Sequence, residues 1–197
     1  MIRAIGIDIS TTTVGYAVID QSDAETLSLV RAGTCNARDN VPLIGRLAEL
    51  YGDIYNVVCA AVKEVGDEDD IIVGIEKPFV HPRGNAGVIE LGAGFGVAAA
   101  AVERALCPTP GGRTTLHASR IETVAPASVK LAVAGHGHST KEQVRSAVMR
   151  FLNLDSPPEP LDVSDAIAIA LTALFRAGTT RTAGPAKRVR PNKGERP

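Results

Sequence analysis

Cysteine is scarce in this chain: Cys35, Cys59 and Cys107 are odd in number and far apart, and no CxxC pair exists. That pattern excludes a disulfide framework and a cysteine-based zinc site, and it implies a reducing, cytoplasmic setting. Long apolar runs are missing as well. No segment is therefore expected to span a bilayer, and the N-terminus has no signal-peptide pattern. Basic charge is thin in the first 76 residues, which carry a net −8, against +5 over 77–150, −4 over 151–175 and +6 from 176 onward. The overall charge of −1 hides this asymmetry. A polyanion lying along the basic half is one reading, and an ordinary spread of surface charge is the other. At 197 residues and 45% apolar content, the chain suits one domain with a full core and a tail.

What the chain has is carboxylates in telling places. Asp162-Val163-Ser164-Asp165 heads an apolar helix, and positions i and i+3 share one helix face, so both acids aim at one point. Asp8 ends one strand in Gly6-Ile7-Asp8, and Glu76 ends another in Gly74-Ile75-Glu76. Residues i and i−2 of a strand share a face, so each acid has a glycine beside it, which predicts open space there. Taken singly, each feature has a bland reading. Asp is a preferred N-cap, acids suit a helix N-terminus, and a lone Asp after a strand is usually a turn residue. The coincidence of four gives the functional reading its weight.

In chain order, 2–8, 13–20 and 26–34 read as an antiparallel meander of strands. A helix over 41–65 follows, with Leu43, Leu47, Leu50, Ile54, Val57, Val58 and Ala61 on one stripe. The apolar run 71–76 reads as a central strand, parallel to the first through the helical crossover. A helix over 85–106, a strand over 115–124 and a short helix from Pro126 come next. Ser139 and Glu142 match a capping box opening a helix with Val144, Val148, Phe151 and Leu152 on its stripe. The last helix, 163–176, buries Ile167, Leu171, Leu174 and Phe175. The domain is thus expected over 1–176, with a disordered basic tail at 177–197 suited to phosphate contact.

The loop after Glu76 holds Phe79 among Lys77, His81 and Arg83. Phe79 either plugs the core or stacks on an unpaired base, with its basic neighbours on phosphate. His136 and His138 read as a flexible loop, since no acid or cysteine nearby supports a metal site. Gly92, Gly94 and Gly96 inside a helix cost about 1 kcal/mol each relative to Ala, which points to close approach by the sheet or a second subunit.

Together these residues resemble the RuvC family of Holliday junction resolvases over about residues 2–176. The segments are Gly6-Ile7-Asp8 with Gly15-Tyr16-Ala17-Val18-Ile19, Ile75-Glu76-Lys77-Pro78-Phe79, the stretch from Pro126 to Val144 with Lys130 and Lys141, and the helix of Asp162 and Asp165. The resemblance implies an α/β, ribonuclease H-like fold: a five-stranded mixed sheet flanked by helices. It implies a crossover junction endodeoxyribonuclease that nicks opposed strands of four-way DNA junctions in recombination and repair, leaving 5′-phosphate and 3′-hydroxyl ends. Asp8, Glu76, Asp162 and Asp165 would hold two Mg²⁺ ions, with Mn²⁺ as a substitute. Lys141 would meet the scissile phosphates as part of the catalytic set. Lys130 would meet neighbouring phosphates, with Lys77 and Arg83 further DNA contacts, and Phe79 would stack at the open junction centre. A homodimer would supply the paired cuts. The physics agrees, because crowded carboxylates repel unless cations neutralise them, and Mg²⁺ prefers oxygen ligands.

The family usually has Asp-Pro-Gly where this chain has Asp8-Ile9-Ser10. Asp8-Ile9-Ser10-Thr11-Thr12-Thr13 also resembles the phosphate loop of actin-like ATPases and sugar kinases. The alternatives are therefore an ATP-binding protein, including a non-catalytic partner in tRNA modification, and a DNA-binding scaffold with a dead site. An actin-like ATPase usually needs a duplicated fold, for which 197 residues are too few.

Overall fold

Two-residue alternation in the strands sorts the protein into two packed faces. The computed structural model describes residues 1–23, 26–66, 69–78, 87–107 and 120–182. Among these, β1 (Ile2–Ile9), β2 (Thr13–Gln21), β3 (Leu27–Asn36), β4 (Asp70–Glu76) and β5 (Arg120–Val124) form one sheet in the order β3-β2-β1-β4-β5. β1, β2 and β3 pair antiparallel, while β4 lies parallel to β1 and β5 parallel to β4. This is the expected five-stranded mixed sheet. Register pairs Gly6 with Gly74 and Ile7 with Ile75, so Asp8 and Glu76 finish at one edge.

Ile5 and Ile7 of β1 and Ile71, Val73 and Ile75 of β4 pack against α1 (Leu43–Lys63) and α2 (Val88–Leu106). The intervening Ala4, Gly6 and Asp8 turn to the other face, which is covered by α5 (Leu161–Thr182). Behind α5 stand α3 (Pro126–Ala134) and α4 (Lys141–Leu152). The middle of helix α5, residues 166–175, is apolar but for Thr172 and deeply buried, with Ile167, Ile169, Leu171 and Leu174 at 0–1% exposure. Each such side chain contributes about 1.5–3 kcal/mol by leaving water.

Several expectations are corrected. The glycines beside the acids do not open space. A Cβ at Gly6 would overlap the Ala166 carbonyl oxygen and reach within 2.6 Å of the Ala170 nitrogen, and one at Gly74 would stand 2.9 Å from Ile169 Cγ2. They are the places where α5 backs onto the sheet. Helix α5 also continues past Arg176 to Thr182, because Ala177 remains buried with Ala173 against Ile72. Residues 183–197 of the expected tail lie outside the described residues. The capping box is one residue later than predicted: Thr140 accepts from the Gln143 amide, and the Gln143 side chain accepts from the Thr140 amide. Ser139 instead donates its hydroxyl to the His136 carbonyl at 2.7 Å. Phe151 is 42% exposed rather than core, and it leans on Phe175 with ring centroids 5.2 Å apart.

At the sheet edge away from Asp8, Arg3 is 4% exposed. It grips both Asp20 oxygens at 2.7 Å and also donates to the Ala61 carbonyl and Glu64. It ties β1, β2 and the end of α1 together.

Candidate active site

Small residues bring the acids to one place. A Cβ at Gly15 would overlap the Asp162 carbonyl, so the first turn of α5 rests directly on β2 beside Asp8. Asp162 is the second residue of α5, inside the helix rather than its N-cap. That placement removes the capping explanation for it, although the helix dipole still favours an acid in the first turn. Carboxylate oxygens of Asp8, Asp162 and Asp165 all lie within 4.8 Å of one another.

The cluster is electrostatically costly. Burial pushes the Asp8 carboxyl up to about 7, helped by the charges of Glu76, Asp165 and Asp162 and opposed by Lys141. Glu76 is raised too, first by burial and then by Asp165, while Lys141 and Lys130 pull it down. Glu76 thus lies within the field of the cluster, though its oxygens are not among the three-residue group. Lys141 Nζ donates to Asp165 Oδ2 at 2.9 Å, and that bond holds its ammonium above the usual lysine range.

Of the residues read from sequence, Asp8, Asp162, Asp165 and Lys141 meet directly, and Glu76 stands alongside. Lys130 reaches the field of Glu76 from α3. Lys77 is exposed, and with Glu76, Ile9, Pro78, Leu91 and Pro126 it lines a small cleft. Phe79 and Arg83, with His81, lie outside the described residues. Among the described residues, His136 and His138 take no part in a cluster of metal-ligating groups.

The sequence reading missed two positioning groups. Ser10 Oγ accepts from the Thr12 and Thr13 amides at 3.2 and 2.9 Å and donates to the Thr13 carbonyl, closing the β1–β2 turn just after Asp8. Those two amides are committed to Ser10, not presented to a phosphate, which speaks against the ATP-loop reading. The Ser10 carbonyl also lies 3.3 Å from where a Cβ on Gly94 would be, so α2 abuts the same turn. Ser164, 2% exposed, donates to the Pro158 carbonyl and fixes the chain entering α5. A Ser-x-Thr turn and a Ser inside the acidic motif were the available signals.

The donor set fits a hard divalent cation. Three carboxylates converge with only oxygen donors, and the cluster repels itself when ionised.

Comparison with known proteins agrees with this geometry. A family model described as "Crossover junction endodeoxyribonuclease RuvC" matches residues 4–173. A Koribacter versatilis protein of that name is 33% identical over 177 residues, covering 90% of this chain and 95% of its own. One from Prochlorococcus marinus (strain MIT 9313) is 30% identical over 174 residues, covering 88% and 99%. A solved structure of Thermus thermophilus RuvC in complex with a Holliday junction superposes with a TM-score of 0.70 at 27% identity, covering 91% of this chain and 97% of that one. The two-sided sheet, the acids at its edge and the match over nearly all described residues lead to one conclusion: the chain belongs to the RuvC family of crossover junction endodeoxyribonucleases.

Proposed function

We propose that this protein is a metal-dependent, structure-selective DNA endonuclease that resolves four-way junctions by paired nicks during recombination and repair. The observation that carries the reading is the convergence of Asp8, Asp162 and Asp165 within 4.8 Å, with Lys141 on Asp165 and Glu76 in the same field. The names of the relatives and the junction complex of the Thermus protein support the substrate class.

Asp8, Asp162, Asp165 and Glu76 would hold two divalent ions, Mg²⁺ or Mn²⁺, which when bound supply an activated water and charge for the leaving oxygen of an in-line displacement. The chain's own groups do the rest. The rigid Ser10 turn and the packing of α5 hold the carboxylates at fixed separation, so no reorganisation is needed when the phosphate arrives. Lys141 offers positive charge at the scissile phosphate, and Lys130 and Lys77 offer it to the flanking backbone. Phe79 and Arg83 complete the assignment as the stacking group and a phosphate contact.

Paired cuts need two sites related by a two-fold axis. A homodimer through α2 and the neighbouring face of α1 supplies them. Ile44 and Ile89 are 83% and 86% exposed there, and Ile44, Leu47, Ala48, Tyr51 and Val97 line an apolar groove. Gly92 and Gly96 have nothing within 4 Å, leaving room for a second helix. The nuclease domain runs to the end of α5 at Thr182, and the basic residues beyond it add phosphate contacts. No helix among the described residues is long and apolar enough to cross a membrane. The proposed setting for this activity is the cytoplasm.

The test is a labelled four-way junction beside a linear duplex of matched sequence, with Mg²⁺ or chelator, for the native protein and Asp165→Asn. Symmetric, Mg²⁺-dependent nicks confined to the junction, lost in the variant while binding persists, are expected. No cutting by folded protein with either Mg²⁺ or Mn²⁺ would overturn the reading.

A further inference from the structure

The same site holds a cation of its own, and its placement runs against local preference. Lys141 is the first residue of α4, at the positive end of that helix's dipole, where a lysine is disfavoured. The Thr140–Gln143 capping box fixes the backbone at this point, so the position of Lys141 is set by the helix start and not by a mobile loop. From there its ammonium crosses to α5 and donates to Asp165 Oδ2 at 2.9 Å. It also sits in the fields of Asp8 and Asp162, the other two members of the cluster. The lysine side chain is 58% exposed and Asp165 29%, so the ammonium approaches from the open side and can leave without unpacking anything.

We infer that Lys141 is an internal counter-cation that competes with a divalent ion for Asp165, and so limits how tightly the DNA-free protein binds metal. The inference rests on the metal-dependent reading above. An ammonium and a divalent ion on one carboxylate compete for its negative charge, and their own charges repel. Ion entry therefore weakens the Lys141–Asp165 bond, and it frees the lysine for the substrate phosphate. An enzyme built this way loads fully only when DNA supplies a second destination for Lys141. Metal occupancy is then coupled to substrate.

The experiment measures Mn²⁺ binding without DNA, from the free-ion electron paramagnetic resonance signal, for the native protein, Lys141→Met, Lys141→Gln and Lys141→Arg. A half-exposed pair is worth about 0.4–1 kcal/mol at the upper part of the usual range, so the two neutral variants are expected to bind Mn²⁺ about two- to fivefold tighter, with Lys141→Arg restoring native affinity. In parallel, reductive methylation of Lys141, read by mass spectrometry, is expected to speed up when Mn²⁺ is added. Circular dichroism confirms folding, and two neutral variants guard against one that fails to fold. Equal or weaker Mn²⁺ affinity in the folded neutral variants overturns the counter-cation role alone. Absence of Mn²⁺ binding by the native protein and by both folded neutral variants overturns it together with the metal-dependent reading.

Discussion

Replacing Asp8 by asparagine should make the metal-free protein more stable. The Asp8 carboxyl is pushed from 3.8 to about 7 by burial and by its acidic neighbours. Between those values the folded protein holds a proton that the unfolded chain has lost, so stability falls as pH rises through this window. About three pK units at 1.36 kcal/mol each make the full cost above pH 7 roughly 4 kcal/mol. An asparagine at this position carries no charge to repel or desolvate, but its amide needs partners. The expected gain at pH 8 in chelator is therefore about 2–4 kcal/mol, or roughly 5–15 °C in Tm for a domain of this size. At pH 4 the electrostatic gain should shrink to about 0.5 kcal/mol, because Asp8 is then protonated in the folded state and only about half ionised in the unfolded. Urea melts at both pH values measure this. Adding Mg²⁺ should stabilise the native protein at pH 8 and do much less for Asp8→Asn. No gain at pH 8, or an equal gain at both pH values, would refute an electrostatic origin and assign the difference to packing.

Other perturbations test the frame around the site. Gly6→Ala sets a methyl against the Ala166 carbonyl and should cost about 3 kcal/mol and most of the Mg²⁺-dependent cleavage, since α5 can yield only by carrying Asp162 and Asp165 away from Asp8; near-native urea melts and cleavage would count against it. Arg3→Ala leaves Asp20 without its bidentate partner and should destabilise by about 3–5 kcal/mol, while the Mn²⁺ affinity of the folded fraction is unchanged; calorimetric unfolding and an ion titration separate the two. Ending the chain after Thr182 removes Lys187, Arg188, Arg190, Lys193 and Arg196. Junction affinity should fall and its log–log salt slope should shrink by about one to four, read by fluorescence anisotropy; an unchanged slope would remove the tail from DNA contact.

The strands and the acids were legible because they follow strict local rules. Alternating apolar residues and short turns mark β1 to β3, and the 71–76 run, apolar up to Glu76, marks a strand covered on both sides. The helical crossover between them fixes the parallel pairing that puts Asp8 and Glu76 at one edge. Features that depend on who touches whom were not legible. Arg3 reads as an ordinary surface charge until β2 and α1 close over it with Asp20 and the Ala61 carbonyl. The capping box has two registers in the sequence, Ser139 with Glu142 and Thr140 with Gln143, and only the backbone chooses between them.

The glycines show why the distinction matters for the site. A glycine next to a carboxylate reads as room for a ligand, yet Gly6, Gly15 and Gly74 are room for a helix. Small residues on α5, Ala166 and Ala170 among them, face the sheet, so at Gly6 and Gly15 backbone approaches backbone, while at Gly74 the side chains of Ile169 and Ala173 fill the space a Cβ would need. Ordinary side chains at these glycines would hold α5 further from the sheet and draw Asp162 and Asp165 away from Asp8. Close docking lets Asp162 and Asp165 share space with Asp8. It also forces like charges together in a poorly solvated place, which is why the carboxyl of Asp8 rises to about 7. The packing that builds the site and the electrostatic strain within it thus have one cause. Loosening α5 should relieve the strain and lose metal affinity together, whereas neutralising Asp8 should relieve it with α5 still in place.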